Sequence, residues 1–131
     1  MKEDLWVGII SDESVQGQMT ETEVQALIKE LCASGFRRFI TGVGNTGEIL
    51  SAEVVETIKQ EYPGIFLTCV IACETQADEW EENLRDRFFS VMEHCDKEVL
   101  LQTHATEDCF EKQRQYIMEK AAVIVKLHYN P

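Results

Sequence analysis

Short, nearly unbroken apolar runs alternate along this chain with longer segments whose apolar residues recur at helical spacing, and that alternation restricts the fold more than any single motif. Leu5 to Ile10, Phe36 to Ile40 and Ile65 to Ala72 read as strands buried on both faces, and Val99 to Leu101 and Ala122 to Leu127 as a fourth and a fifth. Between them Val24, Leu27, Ile28, Leu31 and Cys32 mark one helix, opened by a Thr20 and Glu23 capping box and ended at Gly35. Leu50, Val54, Val55 and Ile58 mark a second, stopped by Pro63 and Gly64. A third, capped by Thr75 with Asp78, carries Trp80, Leu84, Phe88, Val91 and Met92 on one face, and Thr106 with Glu107 and Asp108 begins a fourth. Connections this long are not hairpins. They predict an α/β fold, a parallel sheet with helices on both faces.

Composition bounds the rest. At 131 residues and 44% hydrophobic the chain is long enough for one domain with a real core and too short for two, so residues 1–131 read as a single domain without linker or repeat. A formal net charge of -12 opposes nucleic acid and anionic membrane surfaces, so neither is expected as a partner. An anionic ligand must then be held locally. With no leader-like segment and no span of about 20 apolar residues, the expected chain is soluble and unprocessed, with the cytoplasm its compartment. Five scattered cysteines do not make a disulfide framework, and no C-x-x-C or C-x-x-H spacing suggests a metal.

In sheets of this kind ligands bind outside the carboxyl ends of the strands, near the point where strand order reverses. That rule selects Ser11 to Gly17, Thr41 to Glu48, Cys73 to Gln76 and Thr103 to Thr106. The second loop carries G-x-G-x-x-G as Gly42, Gly44 and Gly47, between an apolar strand end and a helix start. Thr41, Gly42, Gly44, Asn45, Thr46, Gly47 and Glu48 can cradle a phosphate on backbone N–H groups. The same residues also suit a plain tight turn, with Asn45 capping the helix and Glu48 closing a capping box.

In the fourth helix Phe110, Arg114, Ile117 and Ala121 share a face by spacing, which places Arg114 in the apolar stripe. Such an arginine pairs with a carboxylate such as Glu48 or Glu74, reaches an anion at the strand ends, or covers apolar surface with its stem while its head reaches water.

Several segments together resemble the YpsA-like (DUF1273) branch of the SLOG superfamily, Rossmann-like domains related to DprA and to lysine-decarboxylase-like LOG proteins. Ile40-Thr41-Gly42 through Glu48 to Ser51-Ala52-Glu53-Val54-Val55 is similar to that family's I-S-G-G-A-x-G-x-D-x-x-A-A-E-x-V, with Glu48 in the place of its acid. Tyr62-Pro63-Gly64-Ile65, Ile71-Ala72-Cys73 with Gln76 and Trp80, Cys95-Asp96, and Cys109 with Arg114-Gln115 and Met118 resemble its later segments. The family's T-G-H-R is replaced by Ile10-Ser11-Asp12-Glu13, and no G-G-T turn, further strand or helix follows the last strand. A truncated chain or a reduced member, with nucleotide binding weakened or lost, is what those departures imply.

The resemblance implies a Rossmann-like three-layer sandwich, with five parallel strands in the order 3-2-1-4-5 and right-handed crossovers. It also implies a small non-catalytic domain that binds a nucleotide or nucleotide derivative, requires no cofactor, and uses Ser11, the Thr41 to Glu48 loop, Gln76, Trp80, Arg114 and Gln115. Two rivals remain: an enzyme of the LOG type that cleaves nucleoside monophosphates with Glu48 and Arg114, and an interaction module with a vestigial pocket. An unpaired fifth strand would suit a homodimer.

Overall fold

A computed structural model of the protein describes residues 1–12 and 19–129. After a short 3₁₀ turn, Lys2–Asp4, five strands and four helices alternate: β1 (Trp6–Ser11), α1 (Glu21–Ala33), β2 (Arg38–Thr41), α2 (Thr46–Ile58), β3 (Phe66–Ile71), α3 (Glu82–His94), β4 (Lys97–Leu100), α4 (Cys109–Lys120) and β5 (Val123–Leu127). All strand pairs are parallel, as expected of chain segments separated by helices.

The sheet order is β4-β3-β2-β1-β5. This corrects one detail of the expected 3-2-1-4-5: β4 extends the sheet beyond β3, with Val70 opposite Val99, instead of lying between β1 and β5. The unit β3-α3-β4 thus steps in the same direction as the two before it. Right-handed crossovers then put α3 in the layer of α1 and α2, and contacts run from α1 to α2 and from α2 to α3. Only α4, returning from one edge to the other, packs against β1 and β3 from the opposite side.

Strand alternation explains how one sheet feeds two cores. Val7, Ile9, Phe39, Leu67, Cys69 and Ile71 join Val24, Ile28, Val55, Ile58, Phe88 and Val91 under the three-helix layer. Their neighbours Ile10, Ile40 and Val70 point the other way and meet Ile117 of α4. Gly8 lies where α4 comes nearest to β1: a β-carbon there would stand 2.9 Å from the Ala121 β-carbon and 3.0 Å from a methyl of Ile117.

Local signals set several boundaries. Thr20 and Glu23 form the capping box, with Glu23 N–H donating to Thr20 Oγ1 at 3.1 Å and Thr20 N–H to Glu23 Oε1 at 3.3 Å. Gly35, with φ +112°, follows the end of α1. The Thr75 and Asp78 cap does not form: α3 starts at Glu82, and residues 74–80 are successive turns. The physical reason is Gln76, whose side chain is drawn down onto the strand ends and holds this segment away from a helical path.

Candidate ligand crevice at the strand ends

The glycine loop follows β2 and delivers the chain into α2. Asn45 caps that helix by accepting Glu48 N–H at 3.0 Å on Oδ1, and its Nδ2 donates to Ser11 O at 2.8 Å, which ties the helix start to the end of β1. The expected capping box closes differently. Glu48 reaches past Asn45, accepting Gly44 N–H on Oε1 at 2.9 Å and Ser11 N–H on Oε2 at 3.1 Å. Its carboxylate is buried and charge-assisted bonds hold it between the two strand ends.

Two of the three glycines serve internal packing. A β-carbon on Gly42 would lie 2.7 Å from Gln113 Cδ, and one on Gly47 would lie 2.7 Å from Ser11 Cβ. Gly44 differs, since its nearest neighbours would be at 3.4 Å, an ordinary contact. Between them Val43 adopts φ +42° with its side chain fully buried, a conformation that costs a β-branched residue about 1–3 kcal/mol.

Two glutamine amides fix the loop from behind. Gln76 Oε1 accepts Ala72 N–H at 2.8 Å, and its Nε2 donates to Val43 O at 3.0 Å and Gly42 O at 3.2 Å. Gln113 Nε2 lies 2.7 Å from Val70 O, 2.9 Å from Gly42 O and 3.1 Å from Gln76 Oε1, three acceptors for two hydrogens. Through these bonds α4, β3 and the glycine loop form one rigid corner.

In front of that corner lies a crevice of about 260 Å³, lined by Ile10, Gly44, Asn45, Glu48, Phe110, Gln113, Arg114 and Ile117. Phe110, 46% exposed, also borders an adjoining depression of about 470 Å³ that reaches Gln76 and Trp80. Another groove, of about 220 Å³ between α1 and α2, is lined partly by Glu21, Glu53, Glu61 and Lys29 and lies away from the strand ends.

Arg114 requires a correction. The stripe that α4 buries is Cys109, Gln113 and Ile117, one position from the expected Phe110 and Arg114, so Arg114 is exposed. Among the described residues its guanidinium makes no ion pair, and it stands on the crevice wall. As crevice residues, Gln113, Phe110, Ile10 and Ile117 were not expected from the sequence, which placed Phe110 and Ile117 only in an apolar stripe and Ile10 only in a strand. The i, i+4, i+8 spacing of Cys109, Gln113 and Ile117 was the signal for the first, masked because a glutamine rarely belongs to a buried stripe.

The other expected residues divide. Gly44, Asn45, Glu48 and Arg114 line the crevice, while Gln76 and Trp80 line the depression beside it. Ser11 and Thr41 are fully buried, and their hydroxyls find no hydrogen-bond partner among the described residues. Thr46 begins α2, half-buried, and Gln115 faces a separate surface with Leu101, Gln102 and Glu119. Of the loop Ser11 to Gly17, the part from residue 13 onward lies outside the described residues. Among the described residues no group of His, Cys, Asp and Glu side chains could hold a metal.

Comparison with known proteins bears on the family. The model of the YspA SLOG family matches residues 4–130. The chain belongs to that family. A curated relative, the UPF0398 protein of Bacillus pumilus (strain SAFR-032), is 22% identical over 127 residues, covering 95% of this chain and 68% of its own length.

Proposed function

We propose that this protein is a small, non-catalytic domain that binds a nucleotide or nucleotide derivative in the crevice between the glycine loop and α4, as a sensor does. The observation that carries the reading is Arg114, an exposed cation without an ion-pair partner among the described residues, on the wall of a strand-end crevice beside the exposed Phe110 ring. An arginine fork suits a phosphate and an aromatic face suits a base. In a chain of net charge -12, a lone cation at the site supplies the local attraction an anion needs.

Isothermal titration with adenosine 5′-monophosphate and ADP-ribose tests this: saturable heat that is lost in Phe110→Ala supports it, and absence of heat with either compound rejects it. The LOG-type reading keeps one supporting observation, that Glu48 and Arg114 line the same crevice. The Glu48 carboxylate, however, accepts two backbone N–H groups, so its oxygens are engaged in holding the strand ends together. Release of free adenine from adenosine 5′-monophosphate would favour that alternative. We further read the protein as cytoplasmic, and as a homodimer, the latter because β5 ends the sheet with no further strand beside it among the described residues.

A further inference from the structure

The sheet face beneath α4 is left partly open at the amino ends of its strands, the opposite end from the crevice. Strand alternation puts Trp6, Arg38, Ile40, Phe66 and Thr68 on this face, because their neighbours Val7, Phe39, Leu67 and Cys69 belong to the core under the three-helix layer. Register then arranges two rows. Trp6, Arg38 and Phe66 stand side by side across β1, β2 and β3, and Ile40, Thr68 and Lys97 across β2, β3 and β4. The Arg38 guanidinium lies 5.8 Å from the centre of the Trp6 ring, and that ring meets Phe66 edge-on at 5.9 Å. The last turns of α4 add Tyr116, with Lys120 Nζ 5.6 Å from the centre of its ring. Together Trp6, Ile40, Thr68, Lys97, Tyr116 and Lys120 line a pocket of about 160 Å³.

Two independent observations give this pocket a chemistry. Thr68 is 3% exposed, and its hydroxyl has no hydrogen-bond partner among the described residues. A buried hydroxyl left so is costly, and a ligand group bonded to it recovers that cost. Lys97 and Lys120, both exposed, make no ion pair among the described residues, and Arg38 meets only Asp4, at 3.9 Å. Three of the chain's 12 basic side chains thus surround one small pocket in a protein of net charge -12. The neighbouring acids face elsewhere: Glu98 pairs in register with Cys69 of the other core, and Glu119 lines a separate surface. We propose that this pocket binds a small aromatic carboxylate, its ring against Trp6 and Tyr116, its carboxylate met by Lys97 and Lys120, and a ring hydroxyl bonded to Thr68. The volume sets the size, since it lies below the roughly 300 Å³ at which sites for drug-sized ligands begin, and one ring suits it. A planar carboxylate continues the plane of its ring between aromatic walls, whereas inorganic phosphate gains nothing from them. The site is separate from the strand-end crevice and does not depend on nucleotide binding there.

Titration of para-hydroxybenzoate, benzoate and neutral para-hydroxybenzyl alcohol, followed by NMR at the Trp6 indole N–H, tests the assignment. The proteins compared are the unaltered chain, Lys97→Gln combined with Lys120→Gln, and Thr68→Val. The lysines are exposed and valine keeps the shape of threonine, so both variants are expected to fold, which thermal melts check. The unaltered protein should bind para-hydroxybenzoate about tenfold more tightly than the neutral alcohol, and the lysine variant should bring the two within about twofold and remove the salt dependence. Thr68→Val should weaken para-hydroxybenzoate about fivefold, to the level of benzoate, and leave benzoate within about twofold. The proposal is overturned if the Trp6 signal shows no saturable shift with para-hydroxybenzoate up to about 10 mM. It is equally overturned by a lysine variant that binds the acid as before, or by a preference for the ring hydroxyl that survives Thr68→Val. None of these outcomes alters the reading of the strand-end crevice.

Discussion

Three glycines in one loop have three different jobs, and the neighbours of each decide which. At Gly47 an added methyl group meets Ser11 Cβ at 2.7 Å, and that carbon is bonded to backbone and cannot swing aside. Gly47→Ala should therefore cost about 1–3 kcal/mol in a urea melt. Gly42→Ala drives against the Gln113 side chain and breaks its bonds to Gly42 O and Val70 O, at a cost of about 1–3 kcal/mol. Gly44→Ala should stay within about 0.5 kcal/mol, having ordinary contacts only. Equal losses at all three positions would mean that the loop is uniformly tight. Arg114 belongs to the same scale. Exposed and outside any ion pair among the described residues, it should tolerate Arg114→Met within about 0.5 kcal/mol, and a loss of about 3–5 kcal/mol would instead betray a buried pair.

At the scale of elements, α2 and α3 meet through charge as well as packing. Arg87 of α3 grips Glu53 of α2 with two bonds, Nε to Oε2 at 3.0 Å and Nη2 to Oε1 at 2.6 Å, and Lys59 reaches Asp96 at 2.6 Å. Glu56 lies in the same seam with its Oε1 buried and without a hydrogen-bond partner among the described residues. Burial pushes its carboxyl up to about 7, against the lowering pull of His94 and Lys59, and Glu53 and Asp96 add to the rise. A carboxyl raised on folding binds its proton more tightly in the folded chain. Its contribution to stability is thus fully present below the ordinary value of 4.5 and is lost as pH rises through about 7. Urea melts should show stability from this seam falling between pH 5 and about 8, and Glu56→Gln should flatten that slope. An unchanged slope would assign the pH dependence to other groups.

At the scale of the whole molecule, the sheet has two edges of different character. The β4 edge carries Lys97 and Glu98, both exposed, which discourage pairing, whereas β5 offers half-buried Val123, Ile124 and Val125. Light scattering at high protein concentration should give the mass of a dimer, and a monomer there would count against pairing through β5. Much of this molecule was legible in its sequence. The apolar runs marked five parallel strands and Thr20 and Glu23 their capping box, because each depends on residues near in the chain, and the ordered segments from the glycine loop to Met118 pointed to the family. The tertiary structure alone decided the rest. Nothing local tells the third crossover which way to step, so β4 could be placed beside β3 only by packing α3 against α2. Nor does a helix one position ambiguous in its stripe reveal that Gln113 turns inward to acceptors 43 and 71 residues away while Arg114 turns out to the crevice. Hydrogen-bond partners that distant come together only when the sheet has assembled, which is why the chain announces a glycine loop and the fold determines which of its amides Glu48 already holds.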